Sequence, residues 1–169
     1  CRTNLFGGDG GDTLLGSGGN RMSLNGGEGS DKLITGSATP IAGLDMVGGN
    51  GDDTYVITNA SVFLIDRVGE GTGDRVQAGV NFGLINGNFV QIEFLETTNE
   101  TGTAAIDLSG NLFAQTIKGN AGMNKLDGGT DALVDTLIGG LGNDTYIIRT
   151  TTDNITEAVG GGTADRARL

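Results

Sequence analysis

The amino-acid sequence predicts an all-β fold, a parallel β-roll or β-solenoid that turns on glycine-rich corners. Three observations carry that reading. Glycine supplies 33 of 169 residues, nearly three times the usual ~7% share, without the every-third-residue spacing of collagen. Nonapeptides of one template, G-G-x-G-x-D-x-U-x with U a large apolar residue, recur along the chain. The stretches between them alternate apolar and polar side chains, which is the period of a strand. No segment has a helical pattern.

Three nonapeptides come early: Gly7 to Leu15, Gly26 to Ile34 and Gly48 to Val56. A fourth runs from Gly139 to Ile147, and Gly119 to Asp127 is a weakened fifth with Asn124 at the sixth position. Glycines at positions one, two and four are expected to take positive φ and turn the chain sharply. The eighth residue then points inward from a short strand while its neighbours point outward. One such unit cannot bury its apolar side chain alone, so copies must stack.

Worn turns of irregular length, Gly16 to Asn25 and Thr35 to Val47, keep an apolar residue near their ends in Leu24 and Met46. One coil therefore reads as two turns, with a regular side and a degenerate side. In the later block, turns begin at 110, 119, 128 and 139. Gln115 and Asp135 take the sixth position of two of them, and Ile117, Leu126, Leu137 and Tyr146 the eighth. A longer period overlies the short one: Thr54-Tyr55-Val56-Ile57 returns as Thr145-Tyr146-Ile147-Ile148, an offset of 91 that also maps Asp66 on Glu157 and Asp74-Arg75 on Asp165-Arg166. We thus expect a first repeat block at 1–56, a longer-stranded section at 57–109, a second block at 110–148 and the start of another long unit at 149–169, all one continuous solenoid. In the second section Val76, Ala78, Val80, Phe82 and Leu84 alternate, as do Val90, Ile92 and Phe94. Stopping mid-repeat at Leu169, the chain reads as a piece of a larger protein.

Composition excludes several functions. There is no histidine, hence no Ser-His triad, Cys-His pair or imidazole base. Acidic residues outnumber basic ones 21 to 10 for a net charge of −11, which argues against nucleic acid as a partner. No apolar run nears the ~20 residues of a membrane-spanning helix, and no basic-plus-apolar leader opens the chain. The one cysteine, Cys1, reads as a boundary residue. No glycine run is followed by the Gly-Lys-Ser/Thr of a phosphate loop. The sequons at Asn59, Asn99, Asn143 and Asn154 read as chance in a Thr-rich chain.

The nonapeptides resemble the haemolysin-type RTX calcium-binding repeat, whose motif they match in register. Calcium takes 6–8 oxygens, backbone carbonyls included, and zinc has no His or paired Cys to hold it. The resemblance implies that an earlier turn gives carbonyls from positions two and four plus its Asp, and a later turn carbonyls from positions one and three plus its Asp. Carried onto this chain, a first site is Gly8, Gly10 and Asp12 with Gly26, Glu28 and Asp31. The second is Gly27, Gly29 and Asp31 with Gly48, Asn50 and Asp53. A third is Asn120, Gly122 and Asn124 with Gly139, Leu141 and Asp144, weakened because Asn124 replaces an acid. Asp31 is shared by the first two.

The ladder of regular turns extends beyond the motif. Adding 21 to position 48 lands on Gly69-Glu70-Gly71-Thr72-Gly73-Asp74, and adding 21 to 139 lands on Gly160-Gly161-Gly162-Thr163-Ala164-Asp165. Two more calcium sites are expected there. One joins Gly49, Gly51 and Asp53 to Gly69, Gly71 and Asp74. The other joins Gly140, Gly142 and Asp144 to Gly160, Gly162 and Asp165. Three to five ions result, and five would bring the formal charge from −11 to −1.

The resemblance further implies a non-enzymatic module of a protein secreted through a type I channel of a Gram-negative bacterium, extracellular or on the cell surface, which folds on meeting calcium after export. Two other functions stay open: a carbohydrate-binding accessory module of a polysaccharide-active enzyme, and an adhesin or surface-layer segment. End-to-end self-association of solenoid ends is open as well. A basic or aromatic stripe on a strand face would favour polysaccharide, and ten Lys and Arg scattered along the sequence do not announce one. Asp66, Glu70, Glu93, Glu96 and Glu100 lie outside the nonapeptides; they fix no catalytic pair and read as a solvated face.

Overall fold

A computed structural model describes residues 3–17, 21–36, 43–59, 61–84 and 90–169. Cys1, parts of both worn turns and Ala60 of the first sequon lie outside these. The described residues are all-β, with parallel sheets wound as a β-solenoid and no helix among them. They form two compact units, Cys1–Gly79 with Asn88–Ile92 and Val80–Gly87 with Glu93–Leu169.

The first unit holds β1 (Thr3–Asp9), β2 (Thr13–Leu15), β3 (Met22–Glu28), β4 (Lys32–Ile34), β5 (Leu44–Asn50), β6 (Thr54–Ile57), β7 (Val62–Ile65) and β8 (Arg75–Ala78). Odd strands pair in parallel in the order β1-β3-β5-β7, and even strands in the order β2-β4-β6-β8. Each coil contributes one strand to each sheet, so a coil is two turns, as the spacing predicts. The eighth-position residues stack in register as Leu14, Leu33, Tyr55 and Val76, the last three fully buried. Facing them from the other sheet are Leu5, Leu24, Met46 and Leu64. Each buried side chain of this size stabilises the fold by about 1.5–3 kcal/mol, and a narrow core of stacked rows is what this glycine-rich chain can assemble.

Strand lengths differ from expectation. β1, β3 and β5, at seven residues, are the longest, and they run through the first three positions of their nonapeptides. Among the described residues, the strands between 57 and 109 have two to four residues, so that section is not longer-stranded there. The reason lies in the glycines. Gly8, Gly27 and Gly49 align across three strands, and with no side chains their backbones continue the ladder, leaving only positions four to six for the corner.

The second unit holds β9 (Phe82–Gly83), β10 (Phe94–Thr97), β11 (Leu108–Ser109), β12 (Thr116–Lys118), β13 (Lys125–Asp127), β14 (Thr136–Ile138), β15 (Thr145–Ile147), β16 (Asn154–Thr156) and β17 (Arg166–Arg168). Its parallel sheets are β10-β12-β14-β16 and β9-β11-β13-β15-β17. The turns at 110, 119, 128 and 139 feed β12, β13, β14 and β15, alternating between sheets. Ile117, Leu126, Leu137 and Tyr146 are all buried. The alternation of Val90, Ile92 and Phe94 breaks: Val90, Ile92 and Leu95 are buried and Phe94 is not, because a bend at Glu93 shifts the phase by one. Leu95 then pairs with Ile117 in the core row.

Candidate functional site: ladders of buried carboxylates

The sixth-position acids of the first unit form a ladder. The backbone N–H of Asp12 donates to Asp31 Oδ1 at 2.7 Å, that of Asp31 to Asp53 Oδ1 at 2.7 Å, and that of Asp53 to Asp74 Oδ1 at 2.7 Å. Asp31, Asp53 and Asp74 are 1–2% exposed. One oxygen of each thus fixes the register of adjacent coils. The other has a different fate: the Oδ2 atoms of Asp12, Asp31 and Asp53 are buried without a hydrogen-bond partner. An ionised carboxylate left half-satisfied out of water is costly. Burial pushes the Asp53 carboxyl up to about 6; the Asp31 N–H opposes this, and the charges of Asp31, Asp52 and Glu70 add to it.

The glycines frame these acids, though not as expected at position one. Positive φ falls at positions two and four: Gly8 and Gly10, Gly27 and Gly29, Gly49 and Gly51, Gly140 and Gly142. At position one the constraint is space. A Cβ on Gly7 would lie 2.6 Å from Asp12 Oδ2, and one on Gly26, Gly48 or Gly139 would collide with the Oδ2 of Asp31, Asp53 or Asp144. The first glycine therefore makes room for its own repeat's carboxylate. The third-position carbonyls of Glu28 and Asn50 accept N–H groups of Gly10 and Gly29 at 2.7 and 2.8 Å. The same bond runs from Gly51 to the Glu70 carbonyl, which aligns Glu70 with Asn50, so the corner from Gly71 to Asp74 is one residue longer than its predecessors. Asp52 caps this longer corner, its Oδ1 accepting the N–H groups of Thr72 and Gly73.

In the second unit the offset of 91 reproduces the arrangement. Asn143 Oδ1 accepts the N–H groups of Thr163 and Ala164, and the Asp144 N–H donates to Asp165 Oδ1 at 2.8 Å. The Asn124 N–H donates to Asp144 Oδ1 at 2.8 Å, while the Asn124 side chain is engaged at both ends: its oxygen accepts from the Asn120 N–H and its nitrogen donates to the Ile106 carbonyl. A second ladder runs Gln115, Asp135, Asp153. Burial pushes Asp135 up to about 7, against the Gln115 N–H and with the charges of Asp131, Asp153 and Asp127.

Asp66, read from the sequence as part of a solvated face, and its counterpart Glu157, given no role there, both meet core tyrosines. Asp66 is 1% exposed, not on a solvated face, and its Oδ2 accepts the Tyr55 hydroxyl at 2.9 Å while that hydroxyl accepts the Gly48 N–H at 2.9 Å. Its counterpart Glu157 accepts the Tyr146 hydroxyl. Carboxylate oxygens of Asp144, Glu157 and Asp165 lie within 4.8 Å of one another, and Asp144 Oδ2 is buried without a partner. Burial, opposed by the Asn124 N–H and aided by Glu157 and Asp165, pushes Asp144 up to about 6. The coincidence of Asp66 with Glu157 at the 91-residue offset, each eleven residues after a core tyrosine, was the available signal. Of the other acids outside the nonapeptides, Glu70 pairs with Arg67 at 3.2 Å and Glu100 with Lys118 at 2.5 Å.

The donor set is oxygen throughout, which fits a hard cation such as calcium and no soft metal. Among the described residues no helix is long and apolar enough to cross a membrane. The chain matches no family model, no curated protein and no solved structure.

Proposed function

We propose that this chain is a calcium-binding repeat module of the RTX type, part of an extracellular protein that folds when it meets calcium after export. The observation that carries the reading is the convergence of Asp144, Glu157 and Asp165 on one point with a buried, unpartnered oxygen on Asp144. The unpartnered oxygens of Asp12, Asp31 and Asp53 repeat the feature in the other unit. A bound divalent cation supplies positive charge to oxygens that protein donors leave open. Asp31 and Asp53 hold it between coils of the first unit. Asp144, Glu157 and Asp165 hold it in the second, with Tyr146 orienting Glu157 through its hydroxyl. Asn124, satisfied within the protein, is the weakest rung.

The thermodynamic consequence is a switch. A net charge of −11 and half-satisfied acids oppose compaction at low calcium. Ligand that binds only the folded form adds about 2.7 kcal/mol per site at a hundredfold excess over Kd. Far-UV circular dichroism tests this: the chelated chain should be largely disordered at neutral pH and become β-rich in millimolar calcium, and not in equal magnesium. An unchanged spectrum across that titration refutes the switch.

A further inference from the structure

We infer that the outward face of the second unit carries a strip for a linear acidic polysaccharide, formed by seventh-position side chains. The residue after each sixth-position acid points outward, and adjacent coils align it. In the first unit Lys32 pairs with Thr54 and Thr54 with Arg75. In the second, Lys125 pairs with Thr145 and Thr145 with Arg166. The same order, lysine, threonine, arginine, thus occurs twice on equivalent strands. Cations scattered in the sequence are brought into files.

The second unit shows what the strip can bind. A shallow groove of about 360 Å³ contains Lys125, Thr145 and Arg166 together with Asn143, Asp107 and Met123. Lys125 and Arg166 are exposed and make no ion pair among the described residues. The two acids of this face are already engaged: Asp107 Oδ1 accepts the Lys125 N–H at 3.1 Å, and Arg149 grips Asp127 with bonds of 3.0 and 2.8 Å. Arg168 extends the face one position along β17. A patch of net positive charge on a chain of −11 is selective by sign.

The geometry favours a sugar chain over other polyanions. Coils stack at ~4.8 Å, so lysine and arginine sit about two spacings, ~10 Å, apart on a straight line along the stacking direction. Between them lie a hydroxyl and an amide, which suit a chain alternating carboxylates with hydroxyls. The arginine fork matches a carboxylate in two bonds. No aromatic residue lines the groove to stack nucleobases. The inference rests on the fold and not on the cation.

Short oligogalacturonates are the probe, titrated by calorimetry into the full chain whose β-rich spectrum has first been verified, with short neutral glucans and a single-stranded oligonucleotide beside them. Oligogalacturonate should bind with salt-sensitive affinity. Lys125→Gln with Arg166→Gln should weaken it about tenfold or more while the spectrum and calcium titration stay unchanged, and Arg67→Gln should have no effect. Failure of wild type to bind, equal binding of neutral glucan, tighter binding of the oligonucleotide, or an unaffected double variant overturns the proposal. Because the calcium titration is read on the same samples, loss of that response is separable from loss of glycan binding.

Discussion

Freed of divalent cations, the chain should become more stable as the solution is made mildly acidic. Three buried acids set the size of the effect. Asp53 and Asp144 are pushed from 3.8 to about 6 and Asp135 from 3.8 to about 7. At about 1.4 kcal/mol per unit the penalties of ionising them in the folded state are roughly 3, 3 and 4 kcal/mol. Their sum, roughly 10 kcal/mol, is comparable with the whole stability of a domain, 5–15 kcal/mol. The folded pKa values are raised, so between about pH 4 and pH 7 the folded state holds more protons than the unfolded one. Stability then falls as pH rises through that window. It is greatest below the unfolded value of 3.8 and is lost once the folded values of about 6 to 7 are passed.

Urea unfolding of cation-free protein in a fixed concentration of a stabilising osmolyte, which restores a folded baseline at both pH values, followed by far-UV circular dichroism at about pH 5 and about pH 8, measures this. With m near 1–3 kcal/mol/M for a chain of this size, a difference of several kcal/mol moves the midpoint by molar amounts. In saturating calcium the slope should reverse, because protons and cations compete for the same oxygens. Asp53→Asn with Asp144→Asn should flatten the cation-free slope and raise stability at about pH 8, at the expense of the calcium response. Cation-free stability that is level or increases from pH 5 to pH 8 would refute the premise that these acids are buried at a cost.

Two substitutions probe the ladder itself. Asp31→Ala removes the acceptor of the Asp12 N–H and a carboxylate facing both neighbours, so it should shift the calcium midpoint for folding further than Asp12→Ala; equal shifts contradict a shared rung. Tyr55→Phe keeps the shape of a fully buried side chain yet strips the Gly48 N–H of its acceptor and Asp66 Oδ2 of a donor. About 1–3 kcal/mol should be lost in calcium-saturated urea unfolding, and a change below a few tenths would show the hydroxyl to be idle.

What could be read in advance was whatever has a period. The sixth and eighth positions recur at fixed spacing, so Asp31, Asp53, Asp144 and the rows Leu14-Leu33-Tyr55 and Leu126-Tyr146 were legible as turn acids and core. Projecting the coil length forward also placed Asp74 and Asp165 on the ladder, where the N–H groups of Asp53 and Asp144 meet them. The rest depends on contacts between coils. Gly26 looks like any turn glycine until Asp31 is seen to fold back against it. Asp66 and Glu157 lie outside every nonapeptide, and only the coil's return brings them under Tyr55 and Tyr146. Lys125 and Arg166 are 41 residues apart in the sequence and two strands apart on the sheet.

The uncharged rungs explain why the acidic ones need help. At Asn124 the side-chain nitrogen reaches the Ile106 carbonyl at 2.9 Å, and at Gln115 it reaches Asn111 Oδ1 at 2.6 Å. Both side-chain oxygens accept a backbone N–H from the start of their own turn. An amide therefore closes its corner with protein partners alone. An aspartate in the same place holds the next coil equally well through Oδ1 but has no donor for Oδ2. On the function proposed above, replacing acids by amides throughout would give a solenoid that folds without a cation. Keeping Asp12, Asp31, Asp53 and Asp144 in corners already shaped to hold them leaves the coils' register in place and, on that proposal, makes their stability conditional on a partner of opposite charge. The register is thus written into the backbone geometry, and on the same proposal the condition for folding lies in the unpartnered Oδ2 atoms of Asp12, Asp31, Asp53 and Asp144.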